Sequence, residues 1–233
     1  MAALYLIPVP LGPVSPASCL PPDTLEVARR LDHFVVERAK TARAHLKAMG
    51  HPQPIQSLQI EELNEHTPAA AIAHLLTPLK AGHDLGLLSE AGCPAVADPG
   101  AALVMAAHRE DIPVVPLIGP SSILLALMAS GLGGQRFAFH GYLPAKEPER
   151  SQAIRELEKT ARRERATQLF IETPYRSAAL LDALATTLTP DTFISVGADL
   201  SLPSQLIQTR RAKSWRGRAD AVKDRLVVFG IGI

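Results

Sequence analysis

The segment LGLLSEAGCPAVADPGAALVMAAHRED, residues 85–111, restricts the fold more than any other stretch of the chain. Its apolar start, residues 85–88, has the length of a buried strand. The run breaks at Ser89-Glu90-Ala91-Gly92-Cys93-Pro94, and a helical pattern resumes after Asp98-Pro99-Gly100. Strand, shaped loop and helix in that order are the parts of an α/β unit. Gly92 and Gly100 allow backbone conformations or close approaches that a side chain forbids, while Pro94 and Pro99 fix the chain direction. Asp98 reads as a helix N-cap with Pro99 at the first helical position. In open α/β sheets, ligands bind at the loops leaving the carboxyl ends of strands. Taken alone, the segment suits a ligand-free connection equally well.

The same alternation runs through the first half. Residues 3–7 form an apolar strand ended by Pro8, Val9, Pro10, Leu11 and Gly12. Asp23 is expected to cap a helix whose buried side is Leu25, Val27, Ala28 and Leu31, with Glu26 completing a capping box. Further strands are expected at 34–37, 55–58, 84–88 and 114–118, and helices at 41–49, 68–80 and 101–108, the second ended or kinked by Pro78. Residues 123–132 are almost wholly apolar and predict a helix buried on most sides. Beyond them lie a strand at 136–142, a charged amphipathic helix at 148–165, a strand at 168–172 and a helix at 177–188. Strands at 193–198, 205–209 and 226–229 and a short basic helix around 215–222 complete the chain. Strict alternation predicts a mostly parallel sheet, and adjacent strands late in the chain predict a mixed one. The fold class is therefore α/β, as two α/β domains, 1–116 and 117–233.

Composition narrows the function classes. Lys plus Arg is 24 against 23 for Asp plus Glu, so the whole-molecule field does not attract a polyanion and any nucleic-acid contact must come from a local patch. Cys19 and Cys93 show neither CxxC spacing nor a disulfide framework, which points to a reducing, cytoplasmic setting. The N-terminal MAALYLIPVPLGPV lacks a basic start and is broken by prolines, so it reads as a first strand rather than a secretory signal or membrane span. GxGxxG after the first strand, GxxxxGK[ST], GxSxG and HExxH are all missing, and the eight histidines keep no company with paired cysteines. No metal site is expected. What remains is a set of shaped loops at 8–13, 89–99, 119–122, 141–144 and 172–176. Converging on one crevice, they would make a pocket of backbone groups and short side chains, suited to an uncharged or mixed-charge ligand with an apolar ring.

The blocks LYLIPVPLG, LLSEAGCPAVADPG, VVPLIGPSSILLALMASGL, RFAFHGYLPAKEPER and LFIETPYR, in this order, resemble the tetrapyrrole-methylase superfamily of S-adenosylmethionine-dependent methyltransferases. Within it the chain looks most like the ribosomal RNA small subunit methyltransferase I group, which methylates a cytidine ribose 2′-hydroxyl. The resemblance implies two α/β domains of the tetrapyrrole methylase type with S-adenosylmethionine in an active-site cleft between them, and a homodimer. Carried over block by block, it implies cofactor contacts from Pro10 and Leu11, from Glu90, Cys93 and Val96, from Ser121 and Ser122, and from Ile171 and Glu172. Arg176 becomes the substrate-side cation. That group has Asp at Glu90, Thr at Cys93, and an acidic-Asp-Thr-Arg run where this chain has Glu37-Arg38-Ala39-Lys40.

Each assignment has a plainer counterpart. Asp98 is first a helix cap, Cys93 a small packing residue, and Ser121 and Ser122 caps of the helix that follows. Glu172 and Arg176 flank Pro174 and could pair with each other instead of meeting substrate. Basic residues around Trp215 could grip RNA with the ring stacked on a base, or Trp215 could anchor a terminal helix. The acceptor is ribosomal RNA in the leading reading. A tetrapyrrole or another small metabolite, or a cofactor-binding module without turnover, are the alternatives. No catalytic base is assigned.

Overall fold

A computed structural model describes residues 2–233, apart from the Ala69 side chain. The chain divides into two compact units, Met1–Ser121 and Ser122–Ile233. The first holds a wholly parallel sheet of β1 (Leu4–Ile7), β2 (His33–Val36), β3 (Gln59–Glu62), β4 (Leu85–Leu88) and β5 (Val114–Pro116), in the order β3-β2-β4-β1-β5. Side chains alternate across the strands, so each face is apolar. Ile7, Phe34, Val36 and Leu88 pack with α1 (Pro22–Arg30) and α2 (Ala39–Ala48). Leu4, Val35, Leu85 and Leu87 pack with residues of α4 (Thr77–Lys80), α5 (Gly100–Arg109) and the turn at His74–Leu76.

The second unit holds a mixed sheet of β6 (Phe137–Tyr142), β7 (Thr167–Glu172), β8 (Phe193–Ala198), β9 (Leu206–Arg211) and β10 (Val227–Gly232), ordered β6-β7-β10-β8-β9. Only β6 and β7 are parallel. Helices α7 (Glu149–Glu164) and α8 (Pro174–Thr187) cover the face carrying Phe170, Ile194, Val196 and Phe229, with Phe170 and Phe229 stacked at 5.8 Å. Both sheets bear out the expected α/β class, parallel first and mixed second.

Several local expectations are corrected. Residues 55–57 form a 3-10 turn closed by the Ser57 amide and hydroxyl on the Pro54 carbonyl, and the strand is the polar β3 that follows. An edge strand of this kind carries no apolar alternation to read. Helix α1 starts at Pro22, so Asp23 lies inside the first turn and caps nothing. Proline's preset φ starts the helix, and Asp23 still favours the positive helix end. The helix expected at 68–80 splits into α3 (Ala69–Ile72), the 74–76 turn and α4, with Pro78 in the first turn of α4. Helix α6 (Ser122–Ser130) buries Ala126, Leu127 and Ser130 but leaves Leu124 and Met128 52% and 79% exposed, contrary to burial on most sides. It is apolar around its circumference, and the sheet strands it packs against take up one side. The basic helix around 215–222 is instead two 3-10 turns, Ala212–Ser214 and Ala219–Val222. Trp215 is 1% exposed with its indole N–H on the Ile194 carbonyl, which rules out stacking on a base.

Glu158 lies in the apolar stripe of α7 with Ile154, Leu157 and Ala161. Its carboxylate accepts the Thr189 amide and hydroxyl at 3.2 and 2.5 Å, the Thr192 hydroxyl, and Arg162 at 3.2 Å. Burial opposes its charge, but these donors outweigh burial and hold its pKa below the ordinary glutamate value. The stabilisation is therefore fully present above the unfolded-state pKa of about 4.3 and is lost as pH falls through the lower folded value. Glu158→Gln should cost about 1–3 kcal/mol near neutral pH in urea denaturation. The gap to the parent protein should close in acid.

Candidate functional site

In the first sheet, the connection leaving β1 runs to β2 on the far side of β4, and the connection leaving β4 runs to β5 on the far side of β1. Neighbouring strands whose chains depart in opposite directions open a crevice at their carboxyl ends, where open α/β sheets bind ligands. The loops there are tied together. Val9 and Gly92 exchange amide-to-carbonyl hydrogen bonds at 3.0 and 3.1 Å, linking the loop after β1 to the loop after β4. The Cys93 thiol donates to the Pro120 carbonyl at 3.4 Å, and Thr24 of α1 donates to the Ile118 carbonyl at 2.9 Å.

Glycine is required at two of these contacts. At Gly119 an added Cβ would stand 2.3 Å from Cβ of Pro8. At Gly92, φ is +72° and a Cβ would meet Leu11 at 3.1 Å and the Pro120 carbonyl at 3.3 Å. Three of the five expected loops, those after β1, β4 and β5, are thus brought together through Pro8, Leu11, Gly92, Cys93, Gly119 and Pro120. Pro10 is buried, Leu11, Glu90, Cys93 and Ser121 are half-buried, and Val96 is exposed. Burial raises the pKa of the Cys93 thiol, which keeps it protonated and suits packing rather than attack.

The rest of the β4 loop is braced by Asp98. Its Oδ1 accepts the Ala95 and Gly100 amides at 2.9 and 2.8 Å, while Ala95 and Ala97 take left-handed φ values of 64° and 61°. Helix α5 begins at Gly100, one residue before the expected 101 but one after the Pro99 start that an Asp98 N-cap requires, so Asp98 caps from outside the N-cap position, which is held by Pro99. Non-glycine residues in this conformation are uncommon and cluster at functional loops.

The first residue of the Glu37-Arg38-Ala39-Lys40 run lies beside this loop. Glu37 follows β2, in register with the residues that follow β4, because Val36 pairs with Leu88. Among the described residues, Glu37 and Glu90 are half-buried carboxylates with no hydrogen-bond donor or ion pair, whereas Asp84, Asp98, Glu158, Glu172 and Asp199 each have donors. Burial first, then the charges of Glu90 and Asp98, push the Glu37 pKa up. The resemblance marked the run that Glu37 opens, but that its carboxylate lies near Glu90 without a donor needed the structure.

In the second unit, β6 and β7 run parallel with Tyr142 opposite Ile171, so the 141–144 and 172–176 loops leave neighbouring strand ends. Ser122 opens α6, and Ile171 is half-buried. Glu172 is buried, and its Oε1 accepts Arg176 Nε and Nη2 at 2.9 and 2.6 Å and the Thr173 amide at 2.7 Å. The two residues therefore form the anticipated ion pair across Pro174. His140 is exposed and hydrogen-bonded. Its Nε2 lies 2.7 Å from Oε1 of fully buried Gln168, whose amide nitrogen donates to the Ala166 carbonyl, so His140 Nε2 is the donor. No group of three or more His, Cys, Asp or Glu among the described residues could hold a metal.

This two-unit fold is that of known methyltransferase structures. The methyltransferase CobJ superposes with a TM-score of 0.65 at 18% identity, covering 100% of this chain and 94% of that one. The uroporphyrin-III-C-methyltransferase from Thermus thermophilus superposes with a TM-score of 0.60 at 19% identity, over 100% and 94% of the two chains. A sequence model of the Tetrapyrrole (Corrin/Porphyrin) Methylases matches residues 4–214, and the chain belongs to that family. It is similar to the Ribosomal RNA small subunit methyltransferase I of Micromonospora olivasterospora, 36% identical over 189 residues, covering 79% of this chain and 55% of the relative. The protein of the same name from Mesorhizobium japonicum is 32% identical over 229 residues, covering 97% and 74%. The chain thus spans little more than half the length of the first of these relatives.

Two substitutions test the geometry. Gly119→Ala should destabilise the protein by about 1–3 kcal/mol in chemical denaturation, because the new methyl collides with Pro8. Glu37→Gln should act the other way near neutral pH. A carboxylate whose folded pKa is raised costs stability increasingly as pH rises through that value, so the variant should have the higher denaturation midpoint at neutral pH and no advantage in acid.

Proposed function

We propose that the chain is an S-adenosylmethionine-dependent methyltransferase whose acceptor is ribosomal RNA, at a cytidine ribose 2′-hydroxyl. The observation that carries the reading is the knot of backbone-rich loops after β1, β4 and β5, in a chain matching the methylase family from residue 4 to 214. The names of its relatives support RNA as the acceptor.

The donor set fits such a cofactor. S-adenosylmethionine brings a sulfonium, an amino-acid end with one ammonium and one carboxylate, and an uncharged nucleoside. The first unit offers two half-buried carboxylates without donors, Glu37 and Glu90, beside small side chains and backbone groups. Pro10, Leu11, Glu90, Cys93, Val96 and Ser121 are the proposed cofactor contacts of this unit. Ser122, Ile171 and Glu172 are those of the second, and Arg176 is its substrate-side cation. When bound, the cofactor supplies a methyl group on sulfur, open to displacement by a nucleophile. The chain's part is to position: the Val9–Gly92 bridge and the Asp98 brace hold the backbone of the loop carrying Glu90 before a ligand arrives. Among the described residues no helix is long and apolar enough to cross a membrane. Action in the cytoplasm as a homodimer completes the proposal.

Calorimetry should show binding of both S-adenosylmethionine and its demethylated product, with Glu90→Gln weakening the former by about tenfold or more. Folded protein that binds neither defeats the reading. RNA from a strain lacking the gene should take up labelled methyl groups from the purified protein into 2′-O-methylcytidine. Label passing only to a small-molecule fraction would move the acceptor to a tetrapyrrole or another metabolite.

A further inference from the structure

The aromatic rings Phe34, Phe170, Phe229 and Trp215 are buried in the core, whereas Tyr142 and Tyr175 are 56% and 75% exposed, more than Phe137 at 43%. Rings are costly to leave in water, and neither hydroxyl is tied by a hydrogen bond among the described residues. Both tyrosines sit at one end of one layer. Tyr142 is the last residue of β6, opposite Ile171, and Tyr175 follows β7 in the first turn of α8. A break in register between Phe139 and Tyr142, with Gly141 at φ +64°, marks a bulge that redirects the strand at this point.

A planar cation completes the set. The Arg176 guanidinium lies 5.6 Å from the centre of the Tyr175 ring, and its two bonds to the buried Glu172 carboxylate hold it there. Lys146, in the loop after Tyr142, is exposed and enters no ion pair among the described residues. Aromatic faces beside a guanidinium, with a further cation close along the chain, are what unpaired bases and their phosphates require. Stacking tolerates any base, so such a surface grips single strands and ignores a closed duplex.

We infer that Tyr142, Tyr175 and Arg176 form a stacking surface for an unpaired base of the acceptor RNA. The inference rests on the reading that RNA is the acceptor. A flat macrocycle could also cover two rings and offer carboxylates to Lys146; the names of the relatives favour RNA, and competition by uroporphyrin separates the two.

Binding of a short fluorescein-labelled single-stranded RNA to the full chain, followed by anisotropy, tests the surface. Tyr142→Ala and Tyr175→Ala should each raise Kd about five- to a hundredfold, Tyr→Phe at either position should not, and a duplex of the same sequence should bind more weakly. Calorimetric affinity for S-adenosylmethionine should be the same in all four variants, which also shows them folded. Unchanged RNA affinity in the alanine variants overturns the inference, and so does displacement of the RNA by uroporphyrin only in proteins that keep both rings. If the parent protein methylates RNA while the alanine variants bind it normally, this surface fails alone. If the parent protein binds no S-adenosylmethionine, the underlying reading fails instead.

Discussion

Two backbone hydrogen bonds between Val9 and Gly92 hold the first unit's functional end together. Parallel strands β1 and β4 already share a ladder, but their chains leave in opposite directions, and without the bridge the two loops would part at once. With it, Leu11, Gly92 and Pro120 come close enough that a single methyl at Gly92 would press on two of them. Close packing of loops leaves polar backbone groups that must find partners, and here the partners are other loops. The resulting cradle is rigid for a reason that can be named atom by atom.

The carboxylates divide by their surroundings. Glu158, Glu172 and Asp98 are each met by two or more donors, and their work is to brace a loop or aim another side chain. Glu37 and Glu90 have no such partners, and Glu37 is held near other negative charge. A folded protein tolerates that arrangement at a cost in stability, and such costs gather where a ligand supplies the missing partner. Arg176 shows the converse case. Its charge is already balanced by Glu172, so what it still offers is a flat face beside Tyr175.

Much of this was legible from residue order. The apolar runs at β1 and β4, the glycine and proline pattern of 89–100, and the alternation of strands and helices all act locally, through steric limits on φ and through burial of both sheet faces. The pairing of Glu172 with Arg176 was open to reading too, since the two flank Pro174, where the chain turns from the end of β7 into α8. Strand β3 was hidden because an exposed edge strand has no apolar pattern. Trp215 misled because basic neighbours suggested a binding surface while its ring belongs to the core.

The sequence by itself determined the class of fold, the family and the loops from which a site must be built, because these depend on local stereochemistry and on the order of apolar segments. Only the tertiary structure decided which loops touch, which acids lack partners and which aromatic rings stay in water. Those properties depend on residues far apart in the chain, Pro8 against Gly119 or Tyr142 opposite Ile171, and no local pattern encodes the distance between them.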